Sequence, residues 1–108
     1  MQLIYGFDID TPKELLAILA RNLQQRRLEK GLSREALSEL SGVPTPTIAK
    51  FEQKHTLSLS SYVALAKALG YGNDIKKLLS EPQYSTMEEL DRINRNKNRK
   101  RGRNEISQ

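Results

Sequence analysis

The sequence contains no cysteine and no tryptophan, and its one histidine is His55. The lack of cysteine excludes a disulfide framework and a cysteine-ligated metal site, and it agrees with a reducing compartment. His55 has no evident cluster of acidic or cysteine partners, so we interpret it as a loop residue rather than a ligand or base. No nucleophile arrangement and no phosphate-binding loop is visible. The sequence therefore predicts no enzyme activity, no cofactor and no metal.

Long apolar runs are also missing. No stretch approaches the ~20 residues that a membrane span needs, and the segment 1–6 lacks the basic start of a signal peptide. We therefore expect a cytoplasmic protein associated with the nucleoid. A chain of 108 residues with 37% hydrophobic residues predicts one domain with a modest core, followed by a tail.

Most of the chain carries no net charge. Residues 1–90 hold 11 basic and 11 acidic side chains, whereas residues 91–108 hold 7 basic and 2 acidic ones. The whole net charge of +5 thus lies in the last segment, which is predicted to be a disordered basic tail over 94–108. Its charged residues are Arg95, Lys97, Arg99, Lys100, Arg101 and Arg103. Three roles stay open for it: a solvated end, an arm on DNA, or a segment that docks on an acidic protein.

An alternating pattern marks the N-terminal region 1–10. Leu3, Tyr5, Phe7 and Ile9 recur at every second position, which predicts a short strand over 2–9. A lone strand needs a partner. Two alternatives stay open: pairing with the same strand of a second copy in a homodimer, or an extended arm packed on the body of the protein.

Residues 11–80 predict a compact all-α domain of five short helices. Thr11, Pro12 and Glu14 form the expected start of the first helix, a capping box with proline at the first position. This helix ends near Gly31. Its apolar face is expected to hold Leu15, Leu16, Leu19, Leu23 and Arg27.

The next two predicted helices are joined by a tight turn at Gly42. Ser33 caps the second helix, and the third follows the turn. Their inward-facing residues are predicted to be Ala36, Leu37, Leu40, Val43, Ile48 and Phe51.

A fourth and a fifth helix complete the predicted domain, and one more short helix follows the domain. The fourth carries Tyr62, Leu65, Ala66 and Leu69 and stops at Gly70. Asn73 or Asp74 is expected to cap the fifth helix, which holds Ile75, Leu78 and Leu79. A second capping box at 85–89 predicts a short helical extension over 81–93.

The segment 33–52 resembles the Cro/cI-type helix-turn-helix family, also called the XRE family. The matching residues are Arg27, Gly31-Leu32-Ser33, Leu37-Ser38, Gly42-Val43, Ile48 and Glu52, and the resemblance extends over roughly 16–79. It implies a lambda-repressor-like fold and binding of double-stranded operator DNA, with the third helix in the major groove.

The resemblance also implies roles for individual residues. Thr45, Pro46, Ala49 and Lys50 correspond to base-facing positions. Helical periodicity also places these four on the outer face of the third helix, because Ile48 and Phe51 point inward. The positions that correspond to phosphate contacts are Arg34, Thr47, Ser58, Ser60 and Ser61. Arg27 and Glu52 correspond to a structural ion pair.

Two departures from the family pattern change the expectations. Pro44 stands where a serine or threonine cap is usual, so we expect Thr45 to cap the third helix and Pro46 to be its first residue. Lys54 replaces a common glycine, which predicts a strained residue or a different turn there.

The sequence thus predicts a transcriptional repressor that binds operator DNA as a homodimer. It is also similar to HipB-type antitoxins, which implies autoregulation and a HipA-like kinase toxin as partner. Two alternatives stay open: a phage-type repressor without a toxin, and a protein-interaction adaptor whose helix-turn-helix no longer reads DNA.

Overall fold

The protein is described by a computed structural model that covers residues 10–97 and residue 99. This part of the chain is helical, as predicted, and its six helices are α1 Pro12–Glu29, α2 Arg34–Ser41, α3 Thr45–Lys54, α4 Leu59–Ala68, α5 Gly72–Lys77 and α6 Met87–Asn96. Two compact units are present, with their boundary between Lys76 and Lys77. The strand predicted over 2–9 lies outside the described residues. Within the described part, no helix has the length and apolarity required to cross a membrane.

Helix α1 begins with the predicted capping box. The Thr11 hydroxyl accepts from the Glu14 backbone N–H at 3.1 Å, and the Glu14 carboxylate accepts from the Thr11 N–H at 2.7 Å. Pro12 follows as the first helical residue, where its missing N–H removes no helical hydrogen bond. These contacts fix the start of α1.

Helix α2 starts at a serine cap and ends at a glycine turn. The Ser33 hydroxyl accepts from the Ala36 N–H at 3.0 Å. Gly42 has φ 80°, a left-handed conformation that glycine adopts without a Cβ penalty. The helix therefore ends after eight residues, and the chain turns at Gly42.

The buried face of α2 differs from the prediction. Leu37 is fully buried, but Leu40 is 62% exposed. The half-buried neighbours of Leu37 include Ser38 and Ser41, which place the buried side of the helix away from Leu40. The prediction of Leu40 as a core residue is wrong.

The start of α3 is also different from the prediction. Pro44 is the N-cap residue, and its carbonyl accepts from the N–H groups of Thr47 and Ile48 at 3.0 and 3.1 Å. Thr45 is the first helical residue and forms no side-chain cap, and Pro46 is the second. Because Pro46 has no N–H, one of the donors that a cap would satisfy does not exist.

The core of the first unit lies between α1, α2, α3 and α4. Its central side chains pack at the middle of each helix, and Phe51 meets Tyr62 edge to face with ring centroids 5.9 Å apart. The buried apolar members are Ala20, Leu23, Leu37, Val43, Ile48, Phe51, Leu65 and Leu69. They include the predicted Ile48 and Phe51 of the third helix and Leu65 and Leu69 of the fourth. The predicted Tyr62 is half-buried and packs against this cluster, and Ala66 is buried.

Helix α5 is shorter and begins earlier than predicted. The Ile75 N–H donates to the Tyr71 carbonyl at 3.1 Å, so Asn73 and Asp74 lie in the first turn rather than at the cap. The helix ends at Lys77, and Leu78 and Leu79 are 66% and 99% exposed. Leu79 has φ 61°, a left-handed conformation that is incompatible with continued helix.

Helix α6 belongs to the second unit. The Thr86 hydroxyl accepts from the Glu89 N–H at 3.0 Å, and the Glu89 carboxylate accepts from the N–H and hydroxyl of Ser85. These bonds hold the pKa of Glu89 below its usual range. The helix continues through Asn96, so residues 94–96, predicted as the start of a disordered tail, are helical. None of its residues is fully buried.

Candidate nucleic-acid interface

One face of α3 packs into the core and the opposite face is exposed. Ile48 and Phe51 are buried, whereas Pro46, Lys50 and Gln53 are exposed and follow one another three or four residues apart. This spacing places the three on one side of the helix. They form a continuous outer surface, which we call the outer stripe of α3.

Beside the outer stripe, α3 faces the first turn of α2. Thr45 and Ala49 are half-buried on this side. Together with α2 they border a shallow cleft lined by Arg27, Ser33, Arg34, Glu35, Thr45, Pro46 and Ala49. The cleft brings three of the four predicted base-facing residues next to Arg34, a predicted phosphate contact. Lys50 lies outside it, on the outer stripe.

Arg27 and Glu52 join α1 to α3 through a two-pronged ion pair. Arg27 Nε lies 2.8 Å from Glu52 Oε2, and Arg27 Nη2 lies 3.0 Å from Oε1. Arg27 Nη1 donates to the Leu32 carbonyl at 2.9 Å. The Glu52 side chain is 1% exposed and that of Arg27 is 7% exposed. All three guanidinium nitrogens therefore have acceptors, as a buried charge requires.

Glu52 has two further partners that the sequence did not indicate. Arg34 Nε and Gln24 Nε2 both donate to Oε1, at 3.0 and 3.3 Å. Burial alone raises the pKa of the Glu52 carboxyl, but the hydrogen bonds and charges of Arg27 and Arg34 outweigh it and hold that pKa below its usual range. Glu52 is therefore ionised at neutral pH and connects α1, α2 and α3.

The end of α3 contains the strained residue that was predicted at Lys54, shifted by one position. Lys54 is the last helical residue, and His55 has φ 65° and ψ 33°. The His55 N–H donates to the Phe51 carbonyl at 2.9 Å, which closes the helix. A histidine thus occupies the left-handed position that glycine usually takes.

Residues 23–72 match the family model described as helix-turn-helix. The match identifies this segment as a helix-turn-helix domain. The match covers slightly less than half of the 108 residues, and it includes all of α2, α3 and α4. It confirms the resemblance seen in the sequence and identifies a DNA-binding module of transcription regulators. No curated protein and no solved structure matches the chain.

The helix-turn-helix domain also contains the predicted phosphate contacts on α4. The Ser58 hydroxyl accepts from the Ser61 N–H at 3.2 Å and lies 3.3 Å from the Ser60 hydroxyl. Ser58 therefore serves as the cap of α4. Ser58 and Ser60 are exposed and Ser61 is half-buried, as is Thr47 on α3. Their contacts with DNA stay predictions, as do those of the other site residues.

Sequence reasoning missed Gln53 as part of the exposed surface of the helix-turn-helix domain. The signal was present, because Gln53 follows Lys50 by three residues and Pro46 by seven. The family pattern places base-facing residues in the first two turns of α3, and Gln53 lies in the third. Gln24 was missed for a different reason: its contact with Glu52 joins residues 28 positions apart.

The tail residues are only partly described. Arg95 lies in α6, Lys97 follows it, and Arg99 donates to the Asn96 side chain at 3.1 Å. Lys100, Arg101 and Arg103 lie outside the described residues. A role for these six residues in electrostatic attraction stays a prediction.

Proposed function

We propose that this protein is a transcriptional repressor that binds a specific operator in double-stranded DNA as a homodimer. The observation that carries the proposal is the outer stripe of α3 within a helix-turn-helix domain. Pro46, Lys50 and Gln53 are exposed there while the opposite face of α3 is packed. A helix held in this way enters the major groove with its outer side against the base edges.

Lys50 is the proposed base reader. Its ammonium group donates hydrogen bonds and accepts none, which suits guanine O6 and N7. Thr45, Pro46 and Ala49 offer mainly carbon to a base edge, so they contribute by contact with thymine methyl groups. Thr47, Ser60 and Ser61 are proposed to bind phosphates on either side of the groove.

The homodimer is proposed because operators that are read by helix-turn-helix domains contain two half-sites. One helix-turn-helix domain covers one half-site, and two half-sites about 34 Å apart match two domains related by a two-fold axis. A repressor of this kind binds an inverted repeat.

The experiment is a selection of binding sites from random DNA with the full-length protein. We expect an inverted repeat with half-sites about 10 base pairs apart. Lys50→Ala should weaken binding to the selected site by ~1–3 kcal/mol and relax the preference at one base pair. Lys67→Ala, at an exposed lysine of α4, is the matched control. A selection that enriches no sequence contradicts the proposal, and it favours the adaptor alternative.

A toxin partner is the second proposal, and it is supported by α6. This helix lies beyond the residues that match the family, and its Met87 is 70% exposed. Leu90 and Ile93 follow at three-residue spacing and are half-buried. An amphipathic helix with such anchors fits an apolar groove on another protein. A HipA-like kinase is the proposed partner, and autoregulation of a shared operon the proposed role. Co-purification with a HipA-like kinase that is lost in Leu90→Glu would support this proposal, and co-purification that Leu90→Glu leaves unchanged would contradict the role of α6.

A further inference from the structure

An acidic side chain lies on the surface that is proposed to face DNA. Glu35 is the second residue of α2, and its exposed side chain lines the shallow cleft that α2 and α3 border. Thr45, Pro46 and Ala49 line the same cleft from the side of α3. The proposed function places these three residues against base edges, and it therefore places the Glu35 carboxylate near base edges as well.

The cations of this cleft are bound elsewhere and do not neutralise Glu35. Arg34 has its Nε and Nη2 each 3.0 Å from Glu52 Oε1. Arg27 donates from its three nitrogens to Glu52 and to the Leu32 carbonyl. Within the described part of the chain, Glu35 takes part in no ion pair. Its carboxylate is therefore available to a donor from outside the protein.

The chemistry of a carboxylate limits what it can bind on DNA. An ionised carboxylate only accepts hydrogen bonds, and phosphate groups repel it because they carry charge of the same sign. In the major groove the hydrogen-bond donors are the amino groups at N4 of cytosine and N6 of adenine. Adenine also presents N7, an acceptor, whereas guanine presents two acceptors and thymine one. Cytosine is therefore the base that offers a carboxylate a donor and no acceptor.

We propose that Glu35 is a specificity-determining residue, whose carboxylate accepts a hydrogen bond from N4 of one cytosine in each half-site. This role rests on the proposed function and adds a second base reader to Lys50. The ammonium group of Lys50 suits the acceptors of guanine, and the carboxylate of Glu35 suits the donor of cytosine. Because Lys50 lies on the outer stripe of α3 and Glu35 on α2, both helices then contribute to the sequence preference.

The same carboxylate disfavours DNA that lacks this cytosine. A guanine or thymine at that position directs an acceptor toward Glu35, and the carboxylate then loses water without gaining a hydrogen bond. On unrelated DNA the negative charge of Glu35 also adds repulsion from the phosphates. Glu35 therefore lowers the affinity for random DNA more than the affinity for the operator.

Glu35 also has a local role in α2. An acidic residue in the first turn of a helix stabilises that helix through its dipole. Glu35→Gln removes the charge and nearly keeps the shape of the side chain. The matched control is Glu39→Gln, because Glu39 is exposed one turn later on α2 and lies outside the residues that line the cleft. Circular dichroism and thermal unfolding check that both variants fold.

The experiment is a selection of binding sites from random DNA with the full-length wild type and both variants. We expect the wild type and Glu39→Gln to enrich the same inverted repeat, with one cytosine in each half-site that Glu35→Gln no longer requires. Replacement of that cytosine–guanine pair in a synthetic operator should weaken wild-type binding by about fivefold or more. The same replacement should leave binding by Glu35→Gln almost unchanged, and Glu35→Gln should bind random DNA more tightly than the wild type does.

The role of Glu35 and the proposed function fail in distinguishable ways. If Glu35→Gln enriches the same sequence as the wild type, or if Glu39→Gln loses the same cytosine, the role of Glu35 is wrong and the proposed function stands. Weaker binding by Glu35→Gln with an unchanged sequence preference would show that the residue acts through the stability of α2, and it also overturns the role. A wild type that enriches no sequence overturns the proposed function, and the cytosine reader with it.

Discussion

The guanidinium of Arg34 lies on the carboxylate of Glu52, with Nε and Nη2 each 3.0 Å from Oε1. Arg34 is the first residue of α2 and Glu52 lies near the end of α3. The contact therefore spans the turn and fixes the two helices relative to each other. Its geometry gives Arg34 a positioning role beside the phosphate contact proposed from the resemblance.

Arg34→Gln separates these two roles. If Arg34 mainly holds Glu52, the variant should lose about 0.5–1 kcal/mol of stability, because its side chain is 30% exposed and solvent screens the pair. The dependence of log Kd on log salt should then stay unchanged. If Arg34 binds a phosphate, the salt slope should fall by about 0.9. Urea unfolding and a salt titration of DNA binding measure the two quantities.

Acidification should destabilise the domain through Glu52. The pKa of Glu52 is depressed in the folded protein, so its contribution is present above the ordinary value of 4.5 and is lost as the pH falls below that value. Glu52→Gln removes one partner of a buried pair and should cost about 3–5 kcal/mol at neutral pH. Urea midpoints between about pH 3 and 7 should fall less steeply for this variant than for the wild type. A parallel fall in both would show that other carboxyl groups dominate.

His55→Gly should stabilise the protein. A left-handed residue with a Cβ costs about 1–2 kcal/mol, and the greater freedom of glycine in the unfolded chain offsets about 0.5–1 kcal/mol of this gain. The expected net gain is up to about 1.5 kcal/mol, measured by thermal unfolding. His55→Val should be less stable than the wild type, since a β-branched residue tolerates this conformation poorly. A loss of stability in His55→Gly would mean that the imidazole itself makes a stabilising contact.

The end of the chain should act through long-range charge. Truncation after Lys97 keeps α6 intact and removes Arg99, Lys100, Arg101 and Arg103. If these residues track phosphates, the slope of log Kd against log salt should decrease by about 0.9 for each phosphate that is no longer neutralised. Substitution of the same four residues by glutamine is the control for chain length. An unchanged slope would contradict phosphate binding by these residues and would leave the solvated end and the acidic protein partner as their roles.

Local chemistry made the start of α1 and both ends of α2 predictable from the sequence. Thr11 with Glu14, Ser33 and Gly42 each act within four residues, so their roles depend little on the rest of the fold. The spacing of Ile48 and Phe51 likewise identified the inner side of α3. The family pattern then connected these helices to a known arrangement.

Contacts between distant residues were not predictable in the same way. Leu40 has the spacing of a core residue on α2, yet the position of the neighbouring helices leaves it exposed. The bonds of Gln24 and Arg34 to Glu52 depend on how three helices meet. The start of α3 was misplaced because a proline at the N-cap offers no side-chain signal, and its carbonyl alone marks the first turn.

Pro46 has a consequence for the solvent around α3. Its ring and the neighbouring Ala49 and Thr45 offer few groups that form hydrogen bonds with water. The water around this end of the helix therefore contacts mainly carbon atoms. Release of such water on complex formation lowers the heat capacity. If this end of α3 meets DNA as proposed, calorimetry of DNA binding at several temperatures would show a negative heat-capacity change from it, and the proposed contact of Lys50 would add counterion release and hydrogen bonds.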